Sequence, residues 1–159
     1  MTSIPTIQFY HLLSTSRERA VPSLMQKVLS SGSRAVLLLG SQTALKQMSD
    51  ALWSHDPASF LPHGDASDGN EALQPIYLTL TDSNPNGANI LCILDGSMPE
   101  SVPGYAKVLD MFDGTDESAV TAARARWAAY KAKGYALQYI RQQPGGSWKM
   151  EAEQAASAA

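Results

Sequence analysis

The segment Arg34–Gly40, RAVLLLG, is the strongest indication of fold class in this 159-residue chain. Ala35 to Leu39 are all apolar, which is typical of a strand that is covered on both faces. The run Ile90–Leu94, ILCIL, has the same character. Such strands occur in parallel sheets with helices on both sides, so these two runs predict an α/β protein with a mainly parallel sheet.

Strand and helix patterns alternate on either side of these runs. Ser41 can cap the helix that follows the first run, and Gly32 ends the helix before it. Asp113 or Thr115 can cap the last long helix. The predicted strands are 6–12, 35–39, 74–80, 90–94, 107–112 and 136–140, and the predicted helices are 16–31, 42–53 and a last one that ends at Gly134.

Length and composition indicate one globular domain. Hydrophobic residues make up 44% of the chain and charged residues 17%, so a core can form without disulfides or metal. We expect a single domain over residues 1–149 and a disordered tail over 150–159, because EAEQAASAA contains no large apolar residue. No apolar run is long enough to span a bilayer, and the first residues lack a basic segment followed by an apolar one. We therefore expect a cytoplasmic protein without membrane contact.

The usual signatures of catalysis and of cofactor binding are missing from the sequence. The turn LGSQTALK has one glycine and matches neither G-x-G-x-x-G nor a P-loop, and no G-x-S-x-G is present. His11, His55 and His63 are scattered, without metal-ligand spacing, and Cys92 lies in an apolar run, as a buried small residue would. We expect no catalytic residue, cofactor or metal. The alternative that stays open is an α/β enzyme or nucleotide-binding protein with a site assembled at the strand ends.

Positive charge is concentrated near the C-terminal end of the chain. The net charge is −3, yet residues 118–150 contain six basic residues and no acidic one, which is half of all the Lys and Arg. A window of one sign favours an acidic partner, although a solubilising face gives the same pattern. Because the pI is about 5.5, an acidic peptide is preferred over DNA as the partner.

The last helix combines these cations with an aromatic stripe. At about 100° per residue, Arg124 and Lys131 lie along one side of Trp127. Either the stripe is entirely core and the cations are its solvated rim, or Trp127 is partly exposed and the helix binds an acidic peptide with an apolar end. The stripe consists of Val120, Ala123, Trp127 and Tyr130, with Arg126 and Lys133 beyond Tyr130.

A series of short motifs resembles a known family over roughly residues 7–145. The motifs are FYHL, ALW followed by DPASFLPHG, QPIYLT, PNGANILCILDG, FDG and ARARWAAYKAKGY. In this order and spacing they resemble the chi subunit of the bacterial DNA polymerase III holoenzyme. The resemblance implies a Rossmann-like three-layer sandwich that lacks a cofactor and catalysis. It also implies an adaptor that links the clamp-loader assembly to the single-stranded-DNA-binding protein and meets DNA only indirectly.

The resemblance also implies two docking surfaces. One is the surface for the psi subunit, which falls on Trp53, Phe60, Pro62 and His63 here. Large aromatic side chains suit such a surface because a few of them can dominate an interface. The alternative is that Trp53 and Phe60 fold back as a lid over the sheet.

The second implied surface binds the acidic, Phe-ending tail of the single-stranded-DNA-binding protein. Arg124 matches the Arg of the family and Trp127 matches its aromatic residue. Some members carry Lys where this chain has Val120 and Ala128, so two cations are missing. Lys131, one helical turn after Trp127, is expected to compensate for them.

Overall fold

The apolar run at residues 35–39 contains an interior strand, Ala35–Leu38, and all four residues of that strand are buried. The computed structural model describes residues 5–55 and 61–156. Within these residues eight strands form one sheet: β1 (Thr6–Leu12), β2 (Ala35–Leu38), β3 (His63–Gly64), β4 (Ile76–Thr79), β5 (Ile90–Ile93), β6 (Lys107–Asp113), β7 (Ala136–Gln142) and β8 (Trp148–Gln154). The helices of the same residues are α1 (Arg17–Ser30), α2 (Gln42–Ser54) and α3 (Glu117–Ala132), with short 3-10 turns at Ala66–Asp68, Glu71–Leu73 and Val102–Gly104.

The sheet has the order β3-β4-β2-β5-β6-β1-β7-β8 and is parallel except for β8, which runs antiparallel to β7. The chain leaves β1 through α1 towards β2 and leaves β6 through α3 towards β7, so the direction of winding reverses between β6 and β1. Crossovers of one hand then place α1 and α2 on one face and α3 on the other. The predicted α/β, Rossmann-like sandwich with a mainly parallel sheet is confirmed.

Each face of the sheet has its own core. Met25 of α1 and Met48 of α2 pack with Leu37 and Cys92 on one face. On the other face Tyr130 of α3 packs with strand side chains that point the opposite way, among them Phe9, Val36, Leu91 and Val108. Strands between two cores must be apolar throughout, which is why β2 and β5 are uninterrupted apolar runs.

The ends of the helices match the sequence analysis in part. Ser41 caps α2, since its side chain accepts a hydrogen bond from the Ala44 N–H at 3.1 Å. The predicted cap of α3 is wrong: Asp116, not Asp113 or Thr115, accepts from the Ser118 N–H at 2.9 Å. Asp113 instead ends β6 and accepts from the Thr115 N–H in the turn before the helix.

The structure also corrects the expectation of a disordered tail from residue 150. Trp148–Gln154 form β8, which pairs with β7 and has a bulge between Tyr139 and Ile140. The Trp148 ring packs on Tyr10 at 5.0 Å between ring centroids. An edge strand is held by main-chain pairing and tolerates polar, exposed side chains, so the polar composition of KMEAEQ does not prevent it. Of the helices that the structure describes, none has the length and apolar character to cross a membrane.

Candidate functional site

One face of α3 and the strands beneath it enclose a small apolar pocket, which we call the Trp127 pocket. Its volume is about 290 Å³. Trp127 contacts the rings of Phe9 and Tyr139 edge to face, with centroid separations of 5.5 and 6.1 Å. The pocket is lined by Phe9, Phe112, Val120, Ala123, Arg124, Trp127, Tyr139 and Ala152.

Two of the three residues predicted for the acidic-tail surface meet at this pocket. Trp127 is half-buried: it packs against the core and also lines the pocket. Arg124 is exposed and lies one turn earlier on the same helix. Lys131 is exposed and does not line the pocket. Val120 lines it, whereas Ala128 is exposed and does not.

Most of the pocket wall was not found by sequence reasoning. Phe9, Phe112 and Tyr139 come from β1, β6 and β7, strands that are far apart in the chain and neighbours in the sheet. An aromatic residue on a strand signals only that one face is buried. It does not show which helix will cover it.

A histidine lies under the pocket. His11 is buried, its Nδ1 shares a short hydrogen bond with the Tyr139 hydroxyl, and its ring contacts Phe112 at 5.0 Å. Burial lowers the pKa of His11, and the positive charges of Arg141 and Arg124 lower it further. The charge of Asp113 acts in the opposite direction on the pKa of His11 and is the smaller effect. The two guanidinium groups therefore make the potential around His11 positive.

The orientation of α3 is fixed by a buried ion pair. Asp110 of β6 is fully buried and accepts hydrogen bonds from Arg126 Nε at 2.7 Å and from Nη2 at 2.9 Å. Burial raises the pKa of Asp110, and the hydrogen bonds from Arg126 oppose that rise. Arg126 thus belongs to the core and not to the solvated side of the helix. Arg126 lies between Arg124 and Trp127 in the sequence. Its ion pair with Asp110 therefore holds in place the helical turn that carries both residues.

The second predicted surface lies at the far end of the sheet, at the end of α2. We call it the Trp53 surface; its described residues are Trp53, Pro62 and His63. Trp53 is 63% exposed and contacts the His63 ring edge to face at 5.0 Å. Pro62 and His63 are half-buried. Phe60, the fourth residue predicted here, lies outside the described residues.

His63 is held by two hydrogen bonds, and these fix its tautomer. Its Nδ1 lies 2.7 Å from the Leu61 carbonyl oxygen, which can only accept, so Nδ1 carries the proton. Its Nε2 then accepts from the Ser49 hydroxyl at 3.3 Å. The Trp53 side chain therefore rests on a fixed ring and projects into solvent. It does not form a lid over the sheet.

A larger cavity of about 830 Å³ opens at the carboxyl ends of β1, β5 and β6. This is the usual ligand position of α/β sheets, where the winding reverses. Here many of its polar groups bond within the protein. Gln142 Oε1 accepts from the N–H groups of Leu13, Ser14 and Thr15 at 2.9 to 3.1 Å, and Arg17 donates to the Leu94 carbonyl. The described residues include no group of three or more His, Cys, Asp or Glu that could hold a metal ion.

Comparison with known proteins relates the chain to one family. Residues 4–138 match the family model described as "DNA polymerase III chi subunit, HolC". The chain is 24% identical to the DNA polymerase III subunit chi of Haemophilus influenzae over 136 residues, 83% of this chain and 94% of that protein. It is 25% identical to the Escherichia coli subunit chi over 121 residues, 76% of this chain and 82% of that protein.

A third relative is matched over a shorter length. The probable DNA polymerase III subunit chi of Rickettsia prowazekii is 32% identical over 95 residues, which is 58% of this chain and 58% of that protein. The match to the family model ends at residue 138, so the last residues of β7 and all of β8 lie beyond it.

Proposed function

The chain belongs to the family of the DNA polymerase III chi subunit, and we propose that this replication protein is a non-catalytic adaptor of the replisome. In this proposal the Trp127 pocket binds the acidic C-terminal tail of the single-stranded-DNA-binding protein. The Trp53 surface docks the clamp-loader assembly, through psi or an equivalent protein. DNA is reached only through the first of these partners.

One observation carries the proposal: an apolar pocket with an unpaired cation beside it. Within residues 5–55 and 61–156, Arg124 forms no ion pair. A guanidinium without a protein partner can bind a carboxylate of a peptide with charge-assisted hydrogen bonds, while the pocket takes an apolar side chain. A volume of about 290 Å³ lies at the lower end of the range for ligand pockets, about 300–1,000 Å³, and is enough for one aromatic side chain at the end of a peptide.

The pocket proposal is tested with a fluorescein-labelled acidic peptide that ends in Phe with a free carboxylate. Anisotropy should show binding that weakens as salt is added, because exposed charges are screened. Arg124→Ala should weaken it about fivefold, about 1 kcal/mol, which is the upper range for an exposed pair. Arg19→Ala is the matched control, since Arg19 is exposed on α1, on the other face of the sheet.

A second peptide distinguishes the apolar contact in the pocket from the charge contact with Arg124. Replacing the terminal Phe of the peptide by Ala should cost more than the Arg124→Ala variant, because an aromatic residue buries about 150–250 Å² of surface. If the unaltered protein binds both peptides equally, the pocket does not take the terminal side chain. If Arg124→Ala and Arg19→Ala bind equally well, Arg124 has no part in the site.

The Trp53 surface suits a hydrophobic partner for a different reason. An indole that is 63% exposed and rests on a fixed imidazole is rigid before binding, so little conformational entropy is lost when a partner covers it. Pro62 restricts the chain beside it. The two surfaces lie on opposite faces, and five interstrand spacings separate β3 from β1, a distance of about 24 Å. Both partners can therefore bind at the same time.

Trp53→Ala tests the second surface in a capture experiment with purified psi and clamp-loader proteins. Truncation of a central Trp typically costs about 2 kcal/mol, roughly 30-fold in affinity. Met150→Ala is the control, because Met150 is also exposed but lies on the opposite edge strand, β8. Equal capture by the two variants would remove Trp53 from the interface. Unchanged binding of the acidic peptide by Trp53→Ala would show that the surfaces act separately.

The cavity at the strand ends supports the second candidate function, a nucleotide-binding protein. A ligand present at 100 times its dissociation constant stabilises a protein by about 2.7 kcal/mol. For a chain of this size that raises Tm by roughly 5–11 °C. The adaptor proposal expects no such shift with any nucleotide. A shift of this size would favour the second candidate.

A further inference from the structure

The hairpin of β7 and β8 forms one wall of the Trp127 pocket, although most of it lies beyond the match to the family model. The register pairs Phe9 with Tyr139, and Tyr139 with Ala152. Side chains at paired positions point to the same face of a sheet, so these three form a row under α3. The pocket is therefore closed on this side by residues of the hairpin.

Two cations follow on the same hairpin. Arg141 comes two residues after Tyr139 on β7, so it points to the same face, and it pairs in register with Lys149 of β8. Both residues are exposed. In the part of the chain that the structure describes, neither forms an ion pair. Of the cations on α3, Arg124 lines the Trp127 pocket and Arg126 lines the larger cavity, and Arg126 is already paired with Asp110.

An electrostatic effect shows that Arg141 lies near the pocket, and Lys149 is its neighbour in the sheet register. The charges of Arg141 and Arg124 both lower the pKa of His11, which lies under the pocket, and both also lower that of Tyr139 against the rise that burial causes. Glu151, at the bulge of β8, acts on Tyr139 in the opposite direction. The hairpin therefore offers two positive charges next to the pocket wall that it forms, Arg141 and its register partner Lys149, and one negative charge that would repel an acidic ligand.

On the basis of the proposed function, we propose that the β7–β8 hairpin is the second half of the acidic-tail site. Arg141 and Lys149 bind the carboxylates that precede the apolar end residue, while Arg124 and the Trp127 pocket hold that end. Two residues along a strand span about 7 Å, and the neighbouring strand adds about 5 Å. An extended peptide covers the same distances in two to four residues, so acidic residues shortly before the end reach both cations.

The test measures binding of the labelled acidic peptide to Arg141→Ala, Lys149→Ala and the double variant. Each single change should weaken binding about threefold and the double change about tenfold, with a smaller dependence of affinity on salt. Glu151→Gln should strengthen binding. A double variant of two exposed cations on the opposite face, Arg19→Ala with Lys46→Ala, is the matched control. Far-UV circular dichroism and the melting temperature show whether the hairpin variants remain folded.

The outcomes separate this inference from the proposed function. Weaker binding by Arg124→Ala, together with unchanged binding by the Arg141 and Lys149 double variant, would overturn the role of the hairpin and leave the pocket in place. No binding by the unaltered protein would overturn the pocket and the hairpin together. A loss by the hairpin double variant equal to that of the Arg19 and Lys46 control would show only the general effect of net charge and would also overturn the inference.

Discussion

Replacing Arg126 by Met should destabilise the protein more than any surface change, because it leaves Asp110 buried without its partner. The Asp110 side chain has no exposed area, and that of Arg126 is 9% exposed, so solvent screens the pair very little. Two hydrogen bonds, at 2.7 and 2.9 Å, are lost together. Removal of one member of a buried pair costs about 3–5 kcal/mol, which lowers Tm by roughly 6–20 °C for a chain of this length.

A double substitution separates the pair from the general cost of a core change. Asp110→Leu with Arg126→Met removes both charges, and well-packed apolar residues often replace a buried ion pair at little cost. The double variant should therefore lose less stability than Arg126→Met alone. Arg19→Met serves as the surface control and should stay within about 0.5 kcal/mol of the unaltered protein.

Urea unfolding, followed by tryptophan fluorescence and by far-UV circular dichroism, gives the free energies of unfolding. The pH adds a further test, since burial holds the pKa of Asp110 above its ordinary value of 3.8 and loss of Arg126 raises it more. A raised carboxyl pKa means that stability is lost as pH rises, so Arg126→Met should be least stable at the highest pH. A loss below about 1 kcal/mol, or a double variant less stable than the single one, would refute this account of the pair.

Three further predictions concern single groups. Asp116→Ala removes the cap of α3 and should lower the midpoint of urea unfolding, because the N–H groups of Ser118 and Ala119 lose their acceptor. Burial lowers the pKa of His11 below its ordinary value of 6.5, so the folded protein resists protonation of His11 and loses stability as pH falls below that value. The variant His11→Gln should lose less stability over this range, as measured by melting curves taken from pH 8 to pH 5. Burial raises the pKa of Cys92 to about 12, so a thiol reagent should react with it only after unfolding.

The fold could be predicted because its determinants are local. Uninterrupted apolar runs at β2 and β5, and helical spacing around Ser41, follow from residues that are neighbours in sequence. β3 has two residues and gives no pattern. β8 is held by main-chain pairing to β7, which the side chains of KMEAEQ do not report.

The candidate site could be predicted only along α3. Helical spacing puts Arg124 near Trp127, and the structure places both at one pocket. The burial of Arg126 depends on Asp110, which lies 16 residues earlier on a different element. The sequence contains one sign of this ion pair, the acidic Asp110 inside the apolar run of β6, because a fully buried carboxylate requires a partner. No rule of spacing says which cation will supply it.

The cavity at the strand ends is poorly suited to a phosphate group, which agrees with the proposal that partners dock on the outer surfaces instead. In nucleotide-binding relatives of the architecture, free N–H groups after the first strand hold phosphate. Here three such groups already bond to Gln142, whose Nε2 donates to Thr15 Oγ1 at 2.8 Å. A phosphate would have to displace these bonds and leave the side-chain amide of Gln142, a residue that is only 3% exposed, without partners. The same bonds tie the β1–α1 loop to β7, and therefore make rigid the strand that carries Tyr139 and Arg141.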